Sequence, residues 1–140
     1  MAEDIEDIRQ QKREKLRNRA QEATGETSPS ETPSDPIHVE GKGDLQETVN
    51  AHDTVLVDFH AEWCGPCQML EPVIERIAAD TQAAVAKVDI DANQALASEH
   101  GVRGVPTLLL FSDGSPVERL VGMQDESRLR TLIENTTTTA

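Results

Sequence analysis

The stretch that decides the fold is Val55-Leu56-Val57-Asp58-Phe59-His60-Ala61-Glu62-Trp63-Cys64-Gly65-Pro66-Cys67-Gln68. It begins as a short apolar run rich in β-branched residues, which predicts a buried strand. It ends in a turn that carries two thiols separated by two residues. Apolar residues then recur at helical spacing, namely Met69, Leu70, Val73, Ile74 and Ile77. Strand, dithiol turn and helix make one half of a βαβ unit, and a C-x-x-C pair in that context is typical of redox chemistry.

The first thiol, Cys64, stands where the predicted helix begins. Backbone N–H groups at a helix start have no partner within the helix, and with the positive end of the helix dipole they stabilise a thiolate. We therefore expect the pKa of Cys64 to lie below that of an ordinary thiol. Cys67, one turn further in, should be less exposed and act as the resolving thiol. Gly65 and Pro66 shape the turn, because proline is tolerated in the first turn of a helix.

The segment Ala61-Glu62-Trp63-Cys64-Gly65-Pro66-Cys67 resembles the active-site signature of the thioredoxin family. Further matches follow in the right order and spacing: Val57-Asp58-Phe59, Pro72, Val85-Ala86-Lys87-Val88-Asp89-Ile90-Asp91, Gly101-Val102-Arg103-Gly104-Val105-Pro106-Thr107, and the glycines at 114 and 122. The resemblance covers about residues 37–135. It implies an α/β thioredoxin fold, whose central mixed five-stranded sheet has the strand order 1-3-2-4-5 and helices on both faces. Periodicity alone does not give that order.

The rest of the predicted domain alternates between strands and helices. Strands are predicted at Ile37–Glu40, Ala84–Ile90, Thr107–Phe111 and Val117–Val121, the last two joined as a hairpin by the turn residues 112–116. Helices are predicted from Asp44, as a cap, to about Ala51, over Asn93–His100, and from Gln124 or Asp125 onward, with Leu129, Leu132 and Ile133 on the buried face.

The chain of 140 residues is long enough for one domain with a substantial core. We expect an N-terminal extension over residues 1–34 and a thioredoxin domain over residues 35–140. Residues 4–21 are rich in helix formers, with acidic side chains first and basic ones later, and residues 22–36 have the composition of a disordered linker. The helix-prone part is either a helix that docks on a partner or on nucleic acid, or a solvated extension. The composition leaves both open.

The charge of the chain is strongly negative, with 26 acidic and 13 basic side chains and a net charge of −13. Residues 37–140 hold 17 of the acidic and seven of the basic side chains, so −10 falls on the predicted domain. That charge argues against nucleic acid as a partner of the domain. An acidic domain with only two lysines resembles halophilic proteins, from salt-loving organisms, although an ordinary acidic protein has a similar composition.

We expect a cytoplasmic protein that does not bind a membrane, because the sequence has no apolar run of membrane length and begins with acidic residues rather than with a basic and apolar signal. It has no flavin or nicotinamide motif, so we expect no cofactor and no metal. The resemblance implies that electrons come from a separate thioredoxin reductase and pass to disulfide-containing client proteins. We expect the protein to act as a monomer.

The resemblance also assigns roles around the dithiol. Asp58 matches a buried carboxyl that relays the proton of Cys67, although an aspartate at a strand edge in water is an alternative. Lys87 matches a lysine that tunes this carboxyl, unless it is an ordinary surface lysine. Val105 and Pro106 match a cis-proline pair that packs against the dithiol. The residues implied in substrate binding are Trp63, Gly65, Pro66, Val105, Pro106 and Gly122, with Gly104 and Gly114 as further matches. A turn alone also explains Gly114, and a strand bulge equally explains Gly122.

Two positions depart from the commonest family pattern: His60 stands where tryptophan is usual, and Gln68 where lysine is usual. Both changes alter the charge near the thiols, and neither removes a catalytic group. The leading prediction is therefore a thiol–disulfide oxidoreductase that reduces disulfides of cytoplasmic proteins through Cys64 and Cys67. The alternative is a thioredoxin-like adaptor that uses the fold only as a binding module. A zinc or iron–sulfur site on these two cysteines would require a dimer.

Overall fold

The computed structural model describes residues 32–138, so the helix-prone segment and most of the predicted linker lie outside the described residues. The described elements, in chain order, are β1 (Ile37–His38), α1 (Gly41–Ala51), β2 (Thr54–His60), α2 (Gly65–Asp80), β3 (Ala84–Asp89), α3 (Gln94–Glu99), β4 (Thr107–Ser112), β5 (Ser115–Val121) and α4 (Glu126–Thr138). Within residues 32–138 no helix combines the length and the apolar character needed to cross a membrane.

The strands form one mixed sheet in the order β1-β3-β2-β4-β5. β3 runs parallel to both β1 and β2, β4 is antiparallel to β2, and β5 is antiparallel to β4. This is the order that the resemblance implied, and the predicted thioredoxin fold is confirmed. β2 is the central strand, and because both of its faces are covered it is buried over most of its length rather than alternating between core and solvent.

Two clusters of apolar side chains fill the opposite faces of the sheet. Val57 and Phe59 of β2 belong to one cluster, together with residues of α1 and α3, namely Leu45, Val49 and Leu96. Leu56 belongs to the other, together with residues of α2 and α4, namely Leu70, Ile74, Ile77, Leu129 and Ile133. Since successive side chains of a strand point to opposite faces, Asp58 shares the face of Leu56 and is directed toward the α2 side of the sheet.

Helix α1 begins earlier than the sequence predicted. Its N-cap is Glu40, so the assignment of Asp44 as the cap was wrong. Asp44 lies in the first turn, and its Oδ2 accepts a hydrogen bond of 2.9 Å from the backbone N–H of Glu40. The carboxylate therefore satisfies a donor at the helix start from inside the helix. The error arose because Gly41 and Gly43 are poor helix formers, so the pattern gave no reason to begin there.

The β4–β5 hairpin closes through only two residues, Asp113 and Gly114. Both have positive φ, +51° and +82°, which is the conformation of a type I′ turn. A Cβ atom at Gly114 would lie 2.8 Å from Oδ1 of Asn50, so a larger residue there would also force the Asn50 side chain to shift. The turn is shorter than predicted, and β5 therefore starts at Ser115 and includes Pro116, which is tolerated because β5 is an edge strand.

Among residues 32–138, the solvent-accessible ion pairs are few relative to the acidic side chains. Glu126 of α4 pairs with both Arg76 and Arg130, and Lys42 pairs with Glu99. Exposed pairs of this kind add little to the stability of the fold, and salt screens them. The same screening weakens the mutual repulsion of the acidic side chains, and with 17 acidic against seven basic side chains over residues 37–140 the repulsion is the larger effect.

We expect the melting temperature of the full chain at pH 7 to rise by at least about 5 °C between about 0.1 M and about 1 M potassium chloride, which corresponds to about 1 kcal/mol for a domain of roughly 100 residues. The reason is that the Debye length falls from about 10 Å to about 3 Å over this range. Calorimetry measures the effect. As a control, the rise should largely vanish near pH 4.6, where the chain has little net charge. A flat or falling melting temperature at pH 7 would contradict the attribution to charge.

Candidate active site

The two cysteines lie at the start of α2 and are joined by a disulfide, with their Cα atoms 5.3 Å apart. Cys64 is the N-cap of α2, and its Sγ accepts a hydrogen bond of 3.2 Å from the backbone N–H of Cys67. Pro66 lies in the first turn, where its missing N–H leaves no hydrogen bond unmade. The predicted position of Cys64 at the helix start is confirmed. Once the disulfide is reduced, the same N–H and the helix dipole favour a thiolate at this sulfur.

The expected difference in exposure between the two cysteines is absent. Cys64 is 4% exposed and Cys67 is 7% exposed, so the prediction that Cys67 is the more buried thiol was wrong. Cys64 is covered because both cysteines pack with Ala61 and against Ile90 and Val105. The distinction between the two thiols therefore rests on their positions in the helix rather than on burial.

Asp58 lies on the central strand that leads into the dithiol turn, and it is only 2% exposed. Within residues 32–138 nothing donates a hydrogen bond to its Oδ1. Burial raises its pKa to about 6, a shift that the nearby charge of Lys87 reduces and that of Glu71 increases. The alternative of an aspartate at a strand edge in water is therefore wrong. The carboxyl titrates close to neutral pH, where it can both accept and release a proton.

Lys87 is the direct neighbour of Asp58 across the parallel β2–β3 pairing. It is 7% exposed, so it is not an ordinary surface lysine. Its Nζ is paired with Oε1 of Glu71 on α2, and among the described contacts none is a hydrogen bond or ion pair between Lys87 and Asp58. The sequence interpretation missed Glu71. The available signal was its spacing, since a residue four positions after Cys67 lies on the same face of a helix.

The two positions that depart from the family pattern have defined surroundings. His60, at the end of β2, is partly buried, and its pKa is lowered by that burial first and then by the charge of Lys87, so its imidazole is neutral at pH 7. Gln68 donates a hydrogen bond of 2.8 Å from its Nε2 to the backbone oxygen of Glu62. This contact ties α2 to the residues that precede the dithiol, a structural role that the sequence did not predict.

The segment before β4 approaches the dithiol from a different part of the chain. The Val105–Pro106 peptide bond is cis, as the resemblance implied, and Val105 packs against the two cysteines. The carbonyl oxygen of Pro106 accepts a hydrogen bond of 2.8 Å from the backbone N–H of Gly122. Gly122 has φ +88°, a conformation that favours glycine at this position. The structure thus brings Val105 to the dithiol and Gly122 to Pro106.

Large apolar side chains are exposed next to these segments. Trp63 is 69% exposed, and its Nε1 donates a hydrogen bond of 2.8 Å to Oδ2 of Asp91. Met69 is 71% exposed. Helical spacing had placed it with the apolar residues of α2, and that assignment was wrong. Val121 and Met123, on either side of Gly122, are also exposed. Exposed apolar side chains concentrated beside a reactive group are typical of a binding surface.

Comparison with known proteins identifies what the chain is similar to. A protein-family model described as thioredoxin matches residues 36–135. A thioredoxin from Chlamydia muridarum is 52% identical over 84 residues, which is 59% of this chain and 82% of that protein. A thioredoxin from Pseudomonas aeruginosa is 44% identical over 91 residues, which is 64% of this chain and 84% of that protein.

Solved structures give the same result. The N21Q mutant thioredoxin from Halobacterium salinarum NRC-1 matches with a TM-score of 0.74 and 58% sequence identity, over 76% of this chain and 94% of that chain. A thioredoxin from Plasmodium falciparum matches with a TM-score of 0.64 and 31% identity, over 71% of this chain and 97% of that chain. The similarity to a Halobacterium protein fits the acidic, lysine-poor composition described above.

Proposed function

The chain belongs to the thioredoxin family and is a thiol–disulfide oxidoreductase, and from that premise we propose how its own residues divide the reaction between them. Cys64 is the nucleophile and Cys67 the resolving thiol. The observation that carries this assignment is the hydrogen bond from the backbone N–H of Cys67 to Sγ of the N-cap residue Cys64. A donor fixed by the helix itself stabilises negative charge at Cys64 and at no other thiol of the chain.

The reaction begins when the Cys64 thiolate attacks one sulfur of a client disulfide. A mixed disulfide forms between Cys64 and the client as the client S–S bond breaks, and the released client thiolate takes a proton from water. Cys67 then gives its proton to Asp58 and attacks Sγ of Cys64. The mixed disulfide breaks, the second client sulfur leaves and is protonated, and the Cys64–Cys67 disulfide remains. Two electrons have passed to the client, and a separate reductant must restore them.

Asp58 is the proton relay of the second step, with Lys87 tuning it. Support comes from the burial of the carboxyl and from its pKa of about 6, since a base with a pKa near the working pH is the most effective. The charge of Lys87 lowers this pKa, so the lysine limits how far burial raises it. Neither residue touches the client disulfide in this scheme; Asp58 acts on Cys67, and Lys87 acts on Asp58.

Client peptides bind beside the dithiol on a surface formed by Trp63, Gly65, Pro66, Val105, Pro106 and Gly122. The exposed ring of Trp63 supplies apolar contact, and the glycines allow a peptide backbone to approach closely. The backbone of Val105, next to the cis bond, offers main-chain hydrogen bonds that do not depend on the client sequence. Such recognition suits a reductase with many clients.

The partners in this proposal are those of the family: a thioredoxin reductase as electron donor and disulfide-containing proteins as acceptors. The place of action is a reducing compartment, the cytoplasm, where a continuous supply of electrons keeps the dithiol reduced. The protein acts as a monomer, since one chain carries both thiols and the carboxyl that serves them.

The adaptor alternative and the domain boundaries are tested together. We expect the fragment 35–140 to reduce insulin disulfides, with dithiothreitol as electron source, at a rate within about threefold of the full chain, because every residue of the scheme lies within it. Insulin turbidity measures the rate, with a Cys64→Ser, Cys67→Ser double variant as the blank. If the full chain does no better than this blank, the adaptor role gains support. If only the fragment fails, residues 1–34 take part in the reaction.

A further inference from the structure

Two neighbouring residues of β2 and β3 do not form the ion pair that their opposite charges would lead one to expect. Asp58 and Lys87 are direct partners in the parallel pairing of β2 and β3, on strands about 4.8 Å apart, and their side chains share the α2 face of the sheet. Both are buried. A buried carboxylate next to a buried ammonium normally pairs with it, because an unpaired buried charge is costly.

The Lys87 ammonium is instead held by Glu71. Glu71 lies on α2 four residues after Cys67, and its side chain is 47% exposed whereas that of Lys87 is 8% exposed. The ion pair therefore directs Nζ of Lys87 toward α2 and solvent. Asp58 is left with an Oδ1 that accepts no hydrogen bond from any described residue. The lysine is close enough to act on Asp58 through its charge but does not bond to it.

We propose that Glu71 is a positioning residue, which holds the Lys87 ammonium away from Asp58 and so keeps Asp58 a strong base for Cys67. The inference rests on the relay role proposed above for Asp58. Glu71 touches neither thiol in this scheme and acts only through Lys87 and through its own charge.

The charges near Asp58 act on its pKa in opposite directions, and the two effects of Glu71 share one sign. Burial raises the pKa of Asp58, Lys87 lowers it, and the negative charge of Glu71 raises it. Glu71 is ionised at neutral pH, because its hydrogen bond with Lys87 lowers its own pKa. Its direct effect on Asp58 and its effect through Lys87 therefore have the same sign. The other titratable groups around the cluster are His38 of β1, His60 of β2 and Asp89 of β3.

The test is the pKa of Asp58 in the oxidised full chain, followed by carbon NMR of the carboxyl, since no thiol titrates in that state. We expect Glu71→Gln to lower this pKa by about one unit, and Lys87→Met to raise it by a similar amount. Glu75→Gln is the matched control, because Glu75 lies one turn further along α2 and is exposed. It removes the same charge from the same helix, and we expect a change below about 0.3 units.

A double-mutant cycle separates the two effects of Glu71. In the Lys87→Met background, Glu71→Gln should lower the pKa of Asp58 by less than half as much as in the wild-type chain, because only the direct charge effect remains. An unchanged or raised pKa in the single Glu71→Gln variant would overturn the proposal. An equal effect in both backgrounds would overturn the part that runs through Lys87.

A kinetic measurement links the pKa to the chemistry. When dithiothreitol attacks Cys64 of the oxidised chain, the Cys64–Cys67 bond breaks and Cys67 takes a proton from Asp58, which is the resolving step in reverse. Fluorescence of Trp63, the one tryptophan, follows the reaction. At pH 7 the Glu71→Gln variant should be about threefold slower, since about tenfold fewer Asp58 carboxyls are protonated and each is about threefold more effective as an acid.

The two proposals fail in different ways. If the pKa of Asp58 falls in Glu71→Gln but the pH dependence of reduction by dithiothreitol does not follow it, the positioning by Glu71 is supported and the relay role of Asp58 is contradicted. If neither the pKa nor the rate differs from those of the Glu75→Gln control, the positioning by Glu71 is contradicted and the relay role is untouched.

Discussion

The Cys67→Ser variant should accumulate mixed disulfides with client proteins, and the Cys64→Ser variant should form none. Replacing Cys67 leaves the attack intact, because the donor that stabilises the Cys64 thiolate is the backbone N–H of residue 67, which serine keeps. The covalent intermediate then has no thiol to release it. Replacing Cys64 removes the N-cap thiol that accepts this hydrogen bond, so no intermediate forms. Both variants should lose at least about a thousandfold in insulin reduction.

Non-reducing gels of each variant after incubation with an oxidised client, quenched with an alkylating agent, separate the two cases. Bands of higher mass that dithiothreitol removes should appear for Cys67→Ser and be absent for Cys64→Ser and for the double variant. Trapping by Cys64→Ser alone would reverse the assignment and contradict the argument from the helix terminus. Equal trapping by both variants would mean that either thiol attacks, and the N–H donor would then have no part in the choice.

The variant Asp58→Asn should be more stable than the wild type at pH 8 by about 3 kcal/mol, and by little at pH 4. The pKa of Asp58 is raised from 3.8 to about 6, so the folded state binds its proton more tightly than the unfolded state does. Wild-type stability is therefore lost as the pH rises from about 4 to about 6, and the loss is complete above that range. Asparagine does not titrate, so the variant does not lose stability in this way as the pH rises.

Denaturant unfolding of the oxidised protein at a fixed salt concentration, from pH 4 to pH 8, measures the effect. The decisive quantity is how much the difference in the free energy of unfolding between variant and wild type grows from pH 4 to pH 8. We expect it to grow by about 2–3 kcal/mol. Any cost of burying the amide is the same at each pH and therefore cancels. Asp53→Asn serves as the control, since Asp53 is exposed just before the same strand. A difference that does not vary with pH would show that ionising Asp58 costs no more free energy in the folded state than in the unfolded state.

The same variant should keep the first chemical step and slow the second at neutral pH. The amide cannot accept the proton of Cys67, so the mixed disulfide should persist longer than in the wild type while its rate of formation is unchanged. Asp58 would thus lower the stability of the fold at working pH and speed the reaction, a combination that is typical of groups placed for catalysis.

The sequence predicted the reactive part of this site because its determinants are local. Placing Cys64 at the helix start needs only the apolar strand before it and the helical spacing after it, and both lie within one short stretch. The hairpin could likewise be predicted from local sequence, because its turn contains an Asp-Gly pair. The sheet order and the cis bond at Pro106 came from resemblance alone, because no periodicity in the strands specifies which neighbours they take.

The features that the sequence did not predict depend on contacts between distant segments. Cys64 is as buried as Cys67 because the two cysteines form one cluster with Ala61, against which Val105, far along the chain, packs. Glu71 binds Lys87 because α2 lies over β3, a fact of tertiary packing that no local pattern contains. Met69 falls within the apolar spacing of α2 yet faces solvent, since periodicity gives a stripe on the helix but not its width.

Salt that screens repulsion between carboxylates also removes the force that keeps acidic proteins apart, and sheet edges are then the sites where chains join into aggregates. The two edges of this sheet limit such association in a way that does not depend on charge. One edge, β1, is only two residues long, and the other, β5, contains Pro116, which donates no hydrogen bond, beside an irregularity in the pairing at Leu110 and Phe111. Neither edge offers another molecule a long, regular ladder, so pairing between sheet edges is disfavoured even at salt concentrations where electrostatic repulsion no longer acts.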